Sequence, residues 1–202
     1  MIAALFVEPR GVYSGLDGVD PWDEARDARQ YRGPHAVVAH PPCQRWGRYW
    51  SGGPSAKVRR ELGDDGGCFF AALWSVRTFG GVLEHPADSA AWLFFGLCPP
   101  PRNGWARVDS FGGWSCCVEQ GHYGHRARKA RWLYARGCEL PSLCWGHSGG
   151  VRMDEGFHSS DERRQARARG VVALERLPLR ERLGTPIPFR DLLLSMAKTG
   201  RP

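Results

Sequence analysis

One stretch constrains this chain more than any other: Ala36-Val37-Val38-Ala39-His40-Pro41-Pro42-Cys43-Gln44. An unbroken apolar run of this kind reads as a strand buried on both faces of a parallel sheet. The two prolines have no N–H to give to a ladder, so the strand ends at them. Open α/β sheets bind ligands at the carboxyl ends of their strands, which places Cys43 on a stiff loop at that edge. A thiol there is either a nucleophile or a small packed hydrophobe, and the stretch alone does not separate the two.

The 202 residues suffice for one domain with a substantial core and are too few for two well-developed ones. A single α/β domain over residues 1–202 is the expectation. Hydrophobic content of 42% predicts a folded chain, and 26 Gly with 15 Pro predict many loops. No apolar run approaches the roughly 20 residues that span a bilayer, and the N-terminus lacks a basic region leading into an apolar one. The sequence therefore predicts a soluble, cytoplasmic protein with no membrane partner. Seven cysteines without the spacing of a disulfide framework predict reduced thiols. The 28 Lys and Arg outweigh 21 Asp and Glu, and nine Trp accompany them. Arg with aromatics suits nucleic acid, although basic charge equally serves solubility.

Along the chain, Met1 to Val7 predicts a first strand and Pro9 to Gly18 a Gly-rich turn. Asp20-Pro21 reads as an N-cap and first turn, predicting a helix from Pro21 to Tyr31 that Gly33-Pro34 stops. The strand ending at Cys43 follows, giving a β-loop-α-β beginning and a parallel pair. Arg45-Trp46-Gly47-Arg48-Tyr49-Trp50 is a loop of cations and aromatics that either grips nucleic acid or folds back on the core. Ser55 to Leu62 suggests a short basic helix, and Gly67 to Phe79 has the apolar spacing of a core helix. Val82-Leu83-Glu84-His85-Pro86 is the second apolar strand to stop at a proline, and its end should lie beside that of the Cys43 strand. Glu84 there holds a raised pKa unless it is paired. Asp88 to Phe95 predicts a short helix. Trp114 to Glu119 and Ala130 to Tyr134 predict strands around the polar turn 120–129, and Pro141 to Met153 is irregular. Ser159-Ser160-Asp161-Glu162 has the form of a capping box before a helix to Arg169. A last helix begins near Pro188, with Leu192, Leu193 and Met196 on one face.

The order of these motifs resembles that of the cytosine-C5 DNA methyltransferases. Pro42-Cys43-Gln44 is similar to the family's nucleophile loop, and Leu83-Glu84-His85-Pro86 to its Glu motif, with His85 where Asn is usual. Gln120 with Arg126 and Arg128 resembles the Gln/Arg motif, and Gly184-Thr185-Pro186-Ile187-Pro188 the final one. The resemblance implies a Rossmann-like domain with a mostly parallel sheet and a small irregular C-terminal insertion. Residues 138–183 would form a reduced target-recognition or lid region. It implies DNA as partner and S-adenosylmethionine as methyl donor. Phe6, Gly11, Gly15, Asp20 and Pro41 are then the donor-binding candidates. Gln44, Arg45, Trp46, Arg48, Gln120 and Lys129 are the nucleic-acid contacts. The first loop departs from the family's glycine pattern, running Phe6-Val7-Glu8-Pro9-Arg10-Gly11 before Tyr13-Ser14-Gly15-Leu16.

Carbon 5 of cytosine is a poor nucleophile until a thiolate adds to C6 and an acid at N3 stabilises the adduct. Cys43 and Glu84 are the residue types that chemistry needs, with Arg126 or Arg128 to orient the base or hold the thiolate. The base must be flipped from a duplex or presented on a single strand. Two alternatives stand beside this reading. One is a related pyrimidine-modifying enzyme using the Cys/Glu pair with another donor. The other is a zinc-stabilised nucleic-acid binding module, with ligands drawn from Cys116, Cys117, His122 and His125 or from His40 and Cys43. Adjacent cysteines match the usual ligand spacing poorly, so Cys116 and Cys117 are expected in the core and no metal site is expected.

Overall fold

The computed structural model describes residues 1–52, 57–150, 161, 164–165, 168–169 and 177–201. Seven strands form one sheet: β1 (Ile2–Leu5), β2 (Val19–Trp22), β3 (Ala36–Ala39), β4 (Gly81–Pro86), β5 (Ala106–Arg107), β6 (Trp114–Glu119) and β7 (Ala130–Arg136). Their order across the sheet is β2-β1-β3-β4-β7-β6-β5. The helices whose full range is described are α1 (Cys68–Phe79), α2 (Ala90–Phe94), α3 (Leu179–Leu183) and α4 (Ile187–Lys198).

The expected mostly parallel sheet is a mixed one. Strands β2, β1, β3 and β4 run parallel, whereas β7, β6 and β5 pair antiparallel. The cause is the short connection from β6 to β7: a tight return can only lay the second strand antiparallel to the first. The parallel half comes from longer crossovers, including α1 between β3 and β4.

The helix expected from Pro21 to Tyr31 is instead strand β2 followed by turns and a 3₁₀ turn at Ala28–Gln30. Pro21 is tolerated because β2 is an edge strand, where a missing N–H breaks no second ladder. Asp27, not Asp20, does the capping, accepting from the Arg29 backbone N–H. Residues 57–62 form no helix, and the helix expected from Ser159 to Arg169 lies mostly outside the described residues.

Side chains alternate across the sheet into two cores. Ala3, Leu5, Val37, Ala39 and Leu83 pack under α1 and α2, around Phe69. The Phe69 ring meets those of Phe95 at 5.1 Å, Trp92 at 5.7 Å and Trp46 at 5.7 Å. Ile2, Ala4, Val38, Val82, Cys116 and Leu133 pack on the other face against Phe189, Leu193 and Met196 of α4. Gly81 is required where α1 feeds β4: its φ is +119°, and a Cβ there would strike the Val37 backbone.

Among the described residues no helix is long and apolar enough to cross a membrane.

Candidate functional site

The site lies at the carboxyl ends of β3 and β4, where β7 begins and β6 ends. His40 prolongs β3 by one residue, its N–H donating to the Leu5 carbonyl at 3.0 Å. Pro41 and Pro42 then stop the ladder, as the sequence predicts, and Cys43 opens a tight turn closed by Trp46 N–H to the Cys43 carbonyl at 3.1 Å. Trp46 pegs this turn to the molecule. It is 2% exposed, and its indole N–H donates to Asp65, which also caps the start of α1. Its expected role as a nucleic-acid contact is therefore corrected: the ring is core. Gln44, Arg48 and Tyr49 are exposed on the same loop, and Arg45 is half-buried with its guanidinium on the Trp50 carbonyl.

Glu84 is the hub. Alternation along β4 and β7 places Glu84, Arg131 and Leu133 on the face that carries α4, since Glu84 pairs in register with Leu133. The His40 Nδ1–H donates to Glu84 Oε2 at 3.0 Å, and the Tyr13 hydroxyl meets His40 Nε2 at 2.8 Å. Arg131 Nε lies 2.8 Å from Glu84 Oε1, a close ion pair without the alignment of a hydrogen bond. Gln120 Nε2 donates weakly to the same oxygen at 3.4 Å. Gln120 is wholly buried, and its side-chain carbonyl Oε1 has no partner among the described residues.

The electrostatics follow from these partners. Burial pushes the Glu84 carboxyl up, but Arg131, His40 and Lys129 outweigh it and hold the group down at about 2. Glu84 is thus a paired carboxylate, the exception under which no raised pKa is expected. Burial raises the Cys43 thiol above its ordinary value; Arg131 and Lys129 offset that only in part, and Glu84 adds to it. Lys129 is buried, and burial with the neighbouring Arg131 brings its amine down to about 7. Its Nζ donates to the carbonyls of Leu183 at 3.1 Å and Gly184 at 2.6 Å. Lys129 is therefore not a surface contact to nucleic acid but an interior amine coupled to Cys43 and Glu84.

The structure brings together Cys43, Glu84, Gln120 and Lys129, and it adds three residues that the motif reading missed in these roles: Tyr13, His40 and Arg131. Arg126 is exposed and pairs with Glu181 at 3.1 Å, and neither it nor half-buried Arg128 is among the partners of Glu84. Arg131 takes the place expected of them. Counting alternation back from Leu133 finds it, because every second residue of a strand shares a face.

The donor-binding candidates surround the end of β1. Phe6 follows it with φ +58° and packs on the α1 core, Gly11 and Gly15 shape the next loop, and Pro41 is buried after β3. The chain leaves β1 for β2 on one side and returns to β3 on the other, so this loop borders a topological switch point. The Asp20 carboxylate is already engaged by the Trp22 indole N–H at 2.8 Å and by Arg26.

The zinc reading meets a geometric obstacle. Cys116 lies in the α4 core while Cys117 packs toward the opposite face, as alternation demands. The His125 nitrogens are used on Ala127 and Glu181 carbonyls, and His122 on that of Gly146. Among the described residues no group of three or more His, Cys, Asp or Glu is placed to hold a metal ion. Comparison with family models, curated proteins and solved structures finds no match to this chain.

Proposed function

We propose that this chain modifies cytosine in DNA at carbon 5, with Cys43 as the nucleophile that adds to C6 and S-adenosylmethionine as the methyl donor. The observation that carries the reading is the convergence of Cys43 and Glu84 on adjacent strand ends, with Arg131, Lys129 and Gln120 around them. A structural cysteine needs no such company. A nucleophilic one needs cations to favour thiolate and a carboxylate to meet the ring edge.

In this reaction the Sγ–C6 bond forms, the C5=C6 electrons shift toward N3, and N3 takes a proton at Glu84. Lys129, held near neutrality, accepts the thiol proton. The buried carbonyl of Gln120 accepts from an amino group on the same ring edge. S-adenosylmethionine, which the loop after β1 with Phe6, Gly11 and Gly15 would hold, would supply the methyl group that C5 takes. Solvent water then takes the C5 proton, the C5–H electrons reform the C5=C6 bond, N3 returns its proton to Glu84, and Sγ leaves as thiolate and retakes its proton from Lys129. A Rossmann-like arrangement agrees with the parallel half of the sheet and its switch point, where the loop after β1 would hold the donor. Gln44, Arg45, Arg48 and Tyr49 stand at the loop surface that faces DNA in this reading.

One observation favours a second reading, a pyrimidine-modifying enzyme with the same Cys43 and Glu84 but a different donor: the Asp20 carboxylate is bound by Trp22 and Arg26 rather than open to a ribose. Incubation with DNA and methyl-labelled S-adenosylmethionine, followed by nucleoside analysis, tests the main reading. Label in 5-methylcytosine is the expected result. Covalent trapping on 5-fluorocytosine DNA without transfer favours the second reading, and neither trapping nor transfer refutes both.

A further inference from the structure

Glu84 does not stand alone at the ring-binding edge. It is the inner end of a chain of hydrogen bonds that crosses from the loop after β1, through the end of β3, to β4: Tyr13 hydroxyl, His40 Nε2, His40 Nδ1, Glu84 Oε2. Tyr13 is 3% exposed, and the His40 and Glu84 side chains are 15% and 8% exposed. The two rings are held 5.3 Å apart and tilted, so imidazole rotation is restrained from both ends. A neutral imidazole has one donor and one acceptor nitrogen and an imidazolium has two donors, and the Tyr13 hydroxyl serves Nε2 in either role while the carboxylate of Glu84 accepts from Nδ1.

We propose that His40 is a positioning residue that supplies the proton Glu84 delivers to the pyrimidine, with Tyr13 holding its tautomer. This rests on the reading of Cys43 and Glu84 given above and names the route by which that site is loaded with its proton. The groups that touch the carboxylate are Arg131, Gln120 and His40. Arg131 is permanently charged and cannot give up a proton. The Gln120 amide does not titrate. Imidazole is the one partner type that exchanges a proton near neutrality. Without a partner, a carboxylate held this low carries a proton too rarely to protonate N3 on its own.

The step balances. As Sγ bonds to C6, the Nδ1 proton of a doubly protonated His40 passes to the Glu84 carboxylate and from it to N3, so Glu84 ends as the carboxylate it began as and His40 ends neutral, its remaining proton on Nε2 and donated to the Tyr13 oxygen. The thiol proton leaves to Lys129. When C5 loses its proton and Sγ departs, N3 returns its proton along the same path. The groups facing this chain are Glu84 from β4, Arg131 and Lys129 at the start of β7, Cys43 on the Pro-Pro loop, and Arg190 and Asp191 of α4, which act on Tyr13.

The test compares wild type, His40→Asn and Tyr13→Phe. His40→Asn keeps a side-chain amide near Glu84 but cannot hold a proton, so a purely structural role would survive it. Single-turnover adduct formation with 5-fluorocytosine DNA is followed from pH 5 to pH 9, with DNA affinity measured alongside. The proposal expects His40→Asn to slow adduct formation about 100-fold, to remove the fall in rate toward alkaline pH while leaving the rise due to Lys129, and to leave affinity within about threefold. Tyr13→Phe should slow it about tenfold and shift the His40 Nε2 resonance in ¹⁵N spectra of the free protein. Wild-type trapping with an equally fast, equally pH-dependent His40→Asn variant overturns this inference alone. No trapping by wild type overturns the underlying reading and the relay with it. An unshifted His40 resonance in Tyr13→Phe overturns the role given to Tyr13.

Discussion

Two buried ionic networks lie on opposite faces of the sheet, and they differ in completeness. On the α1 face, Arg77 donates to Asp109 at 2.7 Å and to the Tyr134 hydroxyl at 3.2 Å, and that hydroxyl donates to Asp109 at 2.8 Å. The other Asp109 oxygen accepts the Phe111 and Gly113 backbone N–H groups, and Arg77 lies 4.2 Å over the Phe111 ring. Among the described residues no buried side-chain polar atom of this network is left without a partner. The Glu84 network, by contrast, leaves Gln120 Oε1 and Arg131 Nε without hydrogen bonds among the described residues. A buried polar atom left unpaired costs about 1–3 kcal/mol, so a fold keeps one where something other than stability selects it. The first network is a clamp joining α1 to β7 and the 109–113 loop. The second, in the reading proposed above, keeps those two atoms for a substrate, whereas the nitrogens of His85, also unpaired among the described residues, lie against the Phe69 and Trp92 rings.

The comparison can be broken experimentally. Asp109→Ala removes one partner of a complete buried pair and should cost about 3–5 kcal/mol in chemical denaturation, with any folded fraction still able to form the Cys43 adduct. A loss below about 1 kcal/mol would show that the clamp is no clamp.

The pH dependence separates the networks next, because only the Glu84 side contains a group that titrates near neutrality. Lys129 falls from the usual 10.5 to about 7 in the folded protein, so between those values the unfolded chain holds more protons. Stability should therefore rise as pH goes from about 7 to about 8.5, below the range where thiols and tyrosines intervene. Lys129→Met should abolish that rise, and an unchanged slope in the variant would contradict the assignment. On the acid side the sign is the same. Glu84 contributes fully above its usual 4.5 and loses that contribution as pH falls toward about 2.

The smallest effect is the most discriminating. Gln120→Leu removes an orphaned carbonyl and one weak hydrogen bond, so stability should change by less than about 1 kcal/mol or rise. DNA modification should nevertheless fall. Strong destabilisation would mean that Gln120 belongs to a finished structural network like that of Asp109.

The parts of the site that were legible in the sequence share one cause. Strands β3 and β4 each end an apolar run at a proline, a local signal that fixes both position and direction, and the ionisable residue beside each proline falls at the sheet edge. The turn after Gln120 and the last helix were legible for the same local reasons. Strand β2 was not, because Asp20-Pro21 reads equally as a helix start, and only its place at the sheet edge makes Pro21 acceptable as strand. Trp46 misled because a loop of cations and aromatics does not say which ring turns inward. Arg131 was hidden behind Arg126 and Arg128, which resemble the motif at a looser spacing, while alternation on β7 selects the later residue. The contacts Tyr13 to His40 and Arg77 to Asp109 join residues far apart in sequence, and no local pattern announces them.

The central claim is that Cys43 is the nucleophile of a pyrimidine-modifying site completed by Glu84. The most direct measurement is peptide mapping after incubation with 5-fluorocytosine DNA and S-adenosylmethionine. The account predicts a covalent nucleotide adduct on the peptide carrying Cys43, absent in Cys43→Ser, whose melting temperature stays within about 2 °C of wild type. An adduct on any of the other cysteines, or one that persists in Cys43→Ser, would contradict it.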